Sequence, residues 1–361
     1  MPLPLQRFRR DFGLAAGVAV PRSPRDSFTR VLFSIGPNGE YSLSATDGEQ
    51  HILIGNPGCE PVGLFPAQRT LNILNNMDGD ELTIDGGTIS DGRDSYELQV
   101  APPEAFPQVS GGFENARGYE VEAEPFSESL KTASSACSTD LTRPSTGGPC
   151  LDFTGPEEMT VPAMDSRRLV VTTVPVWCEG NPDEDVRPII PRRAAKTLAS
   201  VLKESSQCVF RFGLRGGVRF EIGNRIELTV QPLNGTFPNY KKVIAAASRG
   251  PSISLPAAEL LSTVKAASLV TTEESRGIDV EITTTGISAT ASGADVGNAT
   301  IRRDIALGGE CAFRADHEYL IAGLRPVADC EIQLTHNAPD GAICMTHDGG
   351  WQFLLMPMQV E

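Results

Sequence analysis

The sequence predicts an α+β protein made of three repeats of about 120 residues, each a sheet with helices segregated to one face. Three observations lead there. Each repeat opens with an amphipathic helix, continues in strands of period two, and closes on an apolar residue followed by proline. Those closing steps are Phe106-Pro107, Phe237-Pro238 and Met356-Pro357, with the prolines 131 and 119 residues apart. Units long enough to hold two helices and several strands are domains rather than solenoid turns. The boundaries fall near 115 and 246, giving domains 1–115, 116–246 and 247–361.

The opening helices carry apolar residues at i, i+3, i+4 and i+7: Leu5, Phe8 and Phe12; then Phe126, Leu130, Ala133 and Cys137; then Leu260, Leu261, Val264 and Ala267. Ser127 is expected to cap the second of these. Alternating strands follow at 30–35, 40–45 and 51–54, at 158–163 and 169–174, and at 278–283 and 286–291. Their alternation predicts half-buried antiparallel strands, with Gly213, Gly216 and Gly217 at a hairpin turn. A strand-to-helix unit then begins at Leu64, Ile189 and Cys311, and Pro66 and Pro191 stand where a helix start tolerates proline. The terminal run Trp351–Leu355 reads as a strand; Met356-Pro357-Met358 after it is either a frayed end or, as the third copy of a recurring step, part of the fold.

The net charge of −15 does not suggest nucleic acid, but its distribution does. Residues 5–19 carry +2, 66–77 carry +1 and 191–203 carry +4, so the helices hold about +7 and the remainder about −22. Helices lining one surface would make it basic and able to follow a phosphate backbone without reading sequence; Lys and Arg are also simply good solvated helix formers. No aromatic stacking platform accompanies them, which argues against a single-strand binder.

Eight scattered cysteines with no C-x-x-C argue against a zinc site and a disulfide scaffold, and favour reduced thiols in a cytoplasm. Leu14–Val20, after Arg7, Arg9 and Arg10, is too short for a membrane span and fits a helix better than a leader. Enzyme motifs are missing, the four histidines form no pairing pattern, and the acidic run 179–185 reads as a solvated loop. No catalytic residue, metal or cofactor is expected.

Four segments spread over all three repeats carry a resemblance. Thr142-Arg-Pro-Ser-Thr-Gly-Gly-Pro-Cys-Leu-Asp-Phe153 looks like T-R-P-x-L-T-G-V-x-x-E-F, and Asp165-Ser-Arg-Arg-Leu169 like T-D-G-H-R-L. Gly235-Thr-Phe-Pro-Asn-Tyr-Lys-Lys-Val-Ile244 is close to G-x-F-P-D-Y-R-R-V-I, and Leu355-Met-Pro-Met358 matches V-M-P-M-R-L. Ala45-Thr-Asp-Gly-Glu49 adds a first-domain T-D-x-E. On these the chain resembles the bacterial DNA polymerase III β subunit, the β sliding clamp, as a divergent member.

The resemblance implies three clamp domains per chain, helices inside, antiparallel sheets outside, and a head-to-tail dimeric ring around duplex DNA. It implies no chemistry: the ring is a cytoplasmic, nucleoid-associated processivity factor, with polymerase subunits, a clamp loader and repair factors held through linear peptides. The peptide pocket between the second and third domains would use Arg143, Thr146, Ser166, Arg168, Leu169 and Pro238, with Lys242, Val243, Leu354, Met356, Pro357 and Met358. DNA-facing residues would be Arg7, Arg10, Arg22, Arg69 and Lys131, with Arg192, Arg193, Lys196, Lys203 and Lys265. Departures are Met164, Ser166, Arg167 and Thr146 within the motifs, Asp140 where the family has a DNA-contacting glutamine, a shifted Tyr319, and Gln359 and Glu361 at the end. They raise an alternative, a divergent second clamp with altered loading or partner binding that acts as a scaffold.

Overall fold

The computed structural model describes residues 2–358 apart from 109–111, 114–115, 141, 156, 179–185, 214–215, 294, 337 and 339–340. The acidic run 179–185, Gln359 and Glu361 lie outside the described residues. Its contacts divide into two compact units, one of Met1–Ser127, Val176–Asn181 and Lys196–Pro232, the other of Glu128–Pro175, Pro182–Ala195 and Leu233–Glu361.

The first unit holds a nine-stranded antiparallel sheet in the order Trp177–Cys178, Gly118–Glu122, Gln207–Phe212, Val218–Ile222, Ile226–Val230, Gln50–Gly55, Tyr41–Thr46, Arg30–Ile35 and Glu60–Pro66. Strands of the first two repeats meet where Ile226 pairs with Ile54 and Val230 with Gln50. Helix α1 (Leu5–Val18) packs on this sheet and on α2 (Ala67–Asn76). It buries Leu5, Phe8, Phe12, Ala15 and Ala16, a single apolar stripe. Phe8 meets Phe33 edge-on at 5.6 Å and Tyr41 at 5.3 Å. Asp11 breaks the stripe: it is 3% exposed, accepts from the Tyr41 hydroxyl at 2.5 Å, and pairs with Arg225 at 2.6 Å. Its charge is therefore neutralised inside, and α1 shows solvent more positive charge than a residue count gives.

The second unit holds a seven-stranded sheet in the order Asp152–Gly155, Glu158–Met164, Arg168–Pro175, Trp351–Leu355, Ile343–His347, Glu331–Thr335 and Ser252–Pro256. Here strands of the second and third repeats join, Arg168 opposite Leu355 and Leu169 opposite Leu354. A four-stranded sheet, Gly297–Asp304, Gly286–Gly293, Gly277–Thr283 and Cys311–Asp316, backs α6 (Ala257–Ala267). Helix α7 (His317–Leu324) packs against α6, with Asp316 capping it by accepting from the Glu318 amide at 2.9 Å.

Two expectations change. Helix α3 (Ala123–Ala136) starts before Ser127, so Ser127 is no cap; its hydroxyl donates to the Ala199 carbonyl of α4 (Arg192–Val201) at 2.8 Å. Strands Tyr41–Thr46 and Glu158–Met164 are buried nearly throughout rather than on one face. Small and hydroxyl side chains such as Ser42, Ser44 and Thr160 alternate with the apolar ones there, and both sheet faces are covered. One helix went unread, α5 (Tyr240–Ala247), where Asn239 accepts from the Lys242 amide as N-cap. Pro238-Asn239 reads as a turn, which hides the helix-forming run behind it. All eight cysteines are free thiols, and no described helix is long and apolar enough to cross a membrane.

Candidate functional site

The second unit gathers most of the expected pocket. Asp165 builds its edge: one carboxylate oxygen accepts from the amides of Arg167 at 2.8 Å and Arg168 at 2.9 Å, and the other takes Arg168 Nε at 3.1 Å. That turn aims the Arg168 guanidinium over the Tyr319 ring, 4.0 Å from its centre, where cation–π attraction adds to the ion pair. Tyr319 thus reaches the site despite its shifted spacing.

Strand pairing then sets Leu169 against Leu354. With Val171, Tyr240 and Cys344 they form one buried cluster, against which Met164, Phe237, Ile244 and Ala247 pack. Met356 does not fray. Its amide donates to the Arg167 carbonyl at 2.8 Å and the Met358 amide to the Arg314 carbonyl at 2.7 Å, while its side chain is 46% exposed. Val243 on α5 is likewise exposed, at 44%. An apolar floor flanked by an exposed methionine and valine can repack around aliphatic or aromatic anchors.

Arg143 and Thr146 lie on a tight turn, with the Thr146 amide bonded to the Arg143 carbonyl at 3.1 Å. A Cβ on Gly235 would stand 3.3 Å from the Ser145 Cβ, so this turn abuts the loop leading to Phe237 and Pro238. Asp140 is spent locally: it accepts from Thr142 and pairs with Arg143 at 3.7 Å, and the Thr142 bonds hold its carboxyl below the usual range. Ser166, Arg167 and Lys242 are exposed at the rim, and Pro357 and Met358 are half-buried.

Sequence reasoning missed what supports the floor. The Tyr240 hydroxyl bonds Asp152 and Thr160, each at 2.7 Å. Asp152 is 1% exposed and also meets Arg187 at 3.0 Å and Lys241 at 3.2 Å. A carboxylate so buried needs such partners. Burial, with the Asp152 bond, pushes the Tyr240 phenol up, and burial pushes the Cys150 thiol up to about 12. Burial raises the Cys344 thiol of the floor as well. Val171 was findable, two residues after Leu169 on the same strand face; Tyr240 was findable within the 235–244 segment that supplies Pro238, Lys242 and Val243; Cys344 was not, because nothing local ties it to that strand.

The expected DNA-facing residues are mostly at the surface. Arg7, Arg22, Arg69, Arg193, Lys196, Lys203 and Lys265 are exposed. Arg10 pairs with Glu204, and Lys131 with Glu128 one helical turn away. Arg192 is half-buried, with its Nε lacking a partner among the described residues.

Comparison with solved structures bears on the fold. The DNA polymerase III β subunit of Thermotoga maritima matches over 100% of this chain and 99% of its own, with a TM-score of 0.85 at 17% identity. The chain has the β sliding clamp fold. The Bartonella birtlesii clamp, solved bound to griselimycin, shares the fold at a TM-score of 0.86 and 20% identity over 100% of this chain and 99% of that one. The Pseudomonas aeruginosa clamp does so at 0.83 and 18%, over the same shares. By sequence, the β sliding clamp of Chlamydia muridarum is 24% identical over 275 residues, 76% of this chain and 73% of that protein. No protein-family model matches the chain. Of the departures, Met164 packs against the buried cluster, while Ser166 and Arg167 stand exposed.

Proposed function

We propose that the chain is a DNA sliding clamp, a non-catalytic processivity factor of the cytoplasm that closes as a head-to-tail homodimer around duplex DNA. The observation that carries this reading is the buried apolar cluster of Leu169 and Leu354, with exposed Met356 close by in the chain, on a fold that matches β subunits from end to end. Its three domains would be 1–115, 116–246 and 247–361. The exposed Arg and Lys of the helices would face phosphates, giving sequence-independent, salt-sensitive contact. Ring closure is supported by the edge strand Gly297–Asp304, which leaves most side chains in solvent beside exposed Leu269 and Val296. The cleft would take an aliphatic–aromatic segment of polymerase subunits, clamp loader and repair factors, with Arg143, Arg168 and Lys242 holding its polar groups.

The test is fluorescence anisotropy with a labelled aliphatic–aromatic hexapeptide. Binding in the micromolar range is expected, weakened at least tenfold by Met356→Ala and by Leu354→Ala. Absence of binding at millimolar peptide sinks the reading of the cleft.

A further inference from the structure

The turn that positions Arg168 occurs twice. In the first repeat Asp47 Oδ1 accepts from the amides of Glu49 at 3.0 Å and Gln50 at 2.9 Å, and its Oδ2 takes Gln50 Nε2 at 3.0 Å. Asp165 repeats this pattern with Arg167 and Arg168. The adjoining strand repeats too. The Gln231 amide donates to the Glu49 carbonyl at 2.8 Å, as the Met356 amide does to Arg167. His51 faces Thr229 where Leu169 faces Leu354. Gln50, His51, Thr229 and Gln231 therefore occupy the places of Arg168, Leu169, Leu354 and Met356, and Phe106-Pro107 that of Phe237-Pro238.

At this point of the first unit lies a cavity of about 290 Å³ lined by Gln50, His51, Thr229 and Gln231, by Gln108, and by the rings of Phe28 and Phe113. A more open hollow of about 530 Å³ shares His51, Pro107 and Gln108 with it and is walled by Leu32, Pro61 and Pro103. Where the second unit offers leucine and methionine, this site offers the His51 imidazole, the Thr229 hydroxyl and the Gln231 amide, with Arg25, Glu49 and Gln108 also in the lining. Gln50 is only 2% exposed, and its Oε1 has no hydrogen-bond partner among the described residues. A buried acceptor left unpaired is costly and calls for an N–H donor.

We propose that this cavity is a second peptide-docking site, one that takes a carboxamide side chain, Asn or Gln, of an extended segment. The carboxamide N–H₂ would donate to Gln50 Oε1. Two hollows meeting at Pro107 fit a segment drawn across both better than a compact ligand. The peptide character rests on the clamp reading of the second unit, and the experiment separates the two.

Methyl spectra of the full chain report each site. Ile52, Ile54 and Ile226 stand in the strands beside the cavity, and Met356 and Met358 at the apolar cleft. An acetylated, amidated hexapeptide of alternating Gln and Thr is expected to shift the isoleucine signals saturably. Its Leu-for-Gln analogue, or the Thr229→Val/Gln231→Ala variant, should weaken that at least tenfold, and Met356→Ala should leave it unchanged. Isoleucine signals unmoved at millimolar peptide overturn the proposal, as does equal binding of the leucine analogue or of the variant. An aliphatic–aromatic peptide that fails to move Met356 and Met358 counts against the clamp reading alone, since the isoleucine signals report the cavity independently.

Discussion

His51 is held neutral at pH 7: burial, with Arg219 adding to it, lowers its pKa from 6.5 to about 4. The unfolded chain therefore binds a proton that the folded chain refuses between those values. Stability is full above about pH 6.5 and falls as pH drops toward 4, by on the order of 3 kcal/mol at most. Urea midpoints at pH 7.5 and 4.5 check this; His51→Gln should flatten the difference. Tyr240 poses the opposite case, a hydroxyl whose loss strands its partners. Tyr240→Phe leaves the buried Asp152 short of a donor and should cost about 1–3 kcal/mol. An unchanged urea midpoint would show Arg187 and Lys241 sufficient for Asp152. Arg168, Leu169, Leu354 and Met356 were legible because motif residues carry them. The ring under Arg168 was not, since it comes from an element far away in sequence.

Among the elements, α1 shows how a stripe becomes a core. Phe8 touches Phe33 and Tyr41 and is 1% exposed, so Phe8→Ala should cost about 3–5 kcal/mol in equilibrium unfolding. The hairpin ending at Gly55 is equally specific: its φ is +100° and an added Cβ would lie 2.0 Å from the Tyr41 carbonyl oxygen. Gly55→Ala should destabilise by more than about 2 kcal/mol, whereas Gly17→Ala, with open space around it, should not. The expected helices and strands are all present because their apolar periods are strong. Helix α5 was masked by its own cap, and the buried strands by small polar residues that mimic an exposed face.

At the scale of the molecule, each long sheet joins strands of two repeats, through Ile226–Val230 with Gln50–Gly55 and through Arg168–Pro175 with Trp351–Leu355. Neither junction leaves a free strand edge at that point, so the repeats share their ladders. A closed dimer predicts a solution mass near 77 kDa, twice 38.6 kDa, by light scattering across a dilution series. A mass that falls to one chain at micromolar concentration would remove the ring from the proposed function. Electrostatic binding to short linear duplex DNA should weaken with salt and with Arg69→Glu or Lys196→Glu, while peptide binding at the apolar cluster stays unchanged.

The sequence by itself determined the period and order of the elements, and it named Leu169 and Leu354, two members of one buried apolar cluster. Those are local patterns, set by helix and strand periodicity and by turn chemistry. Only the tertiary structure decided that Tyr240, Asp152 and Thr160 meet, that Asp11 is buried against Arg225, and that the Asp47 turn borders a polar cavity where the Asp165 turn borders a buried apolar cluster. Each depends on pairing between residues distant in the chain, and a hydrophobic period states which face is buried, not what it is buried against.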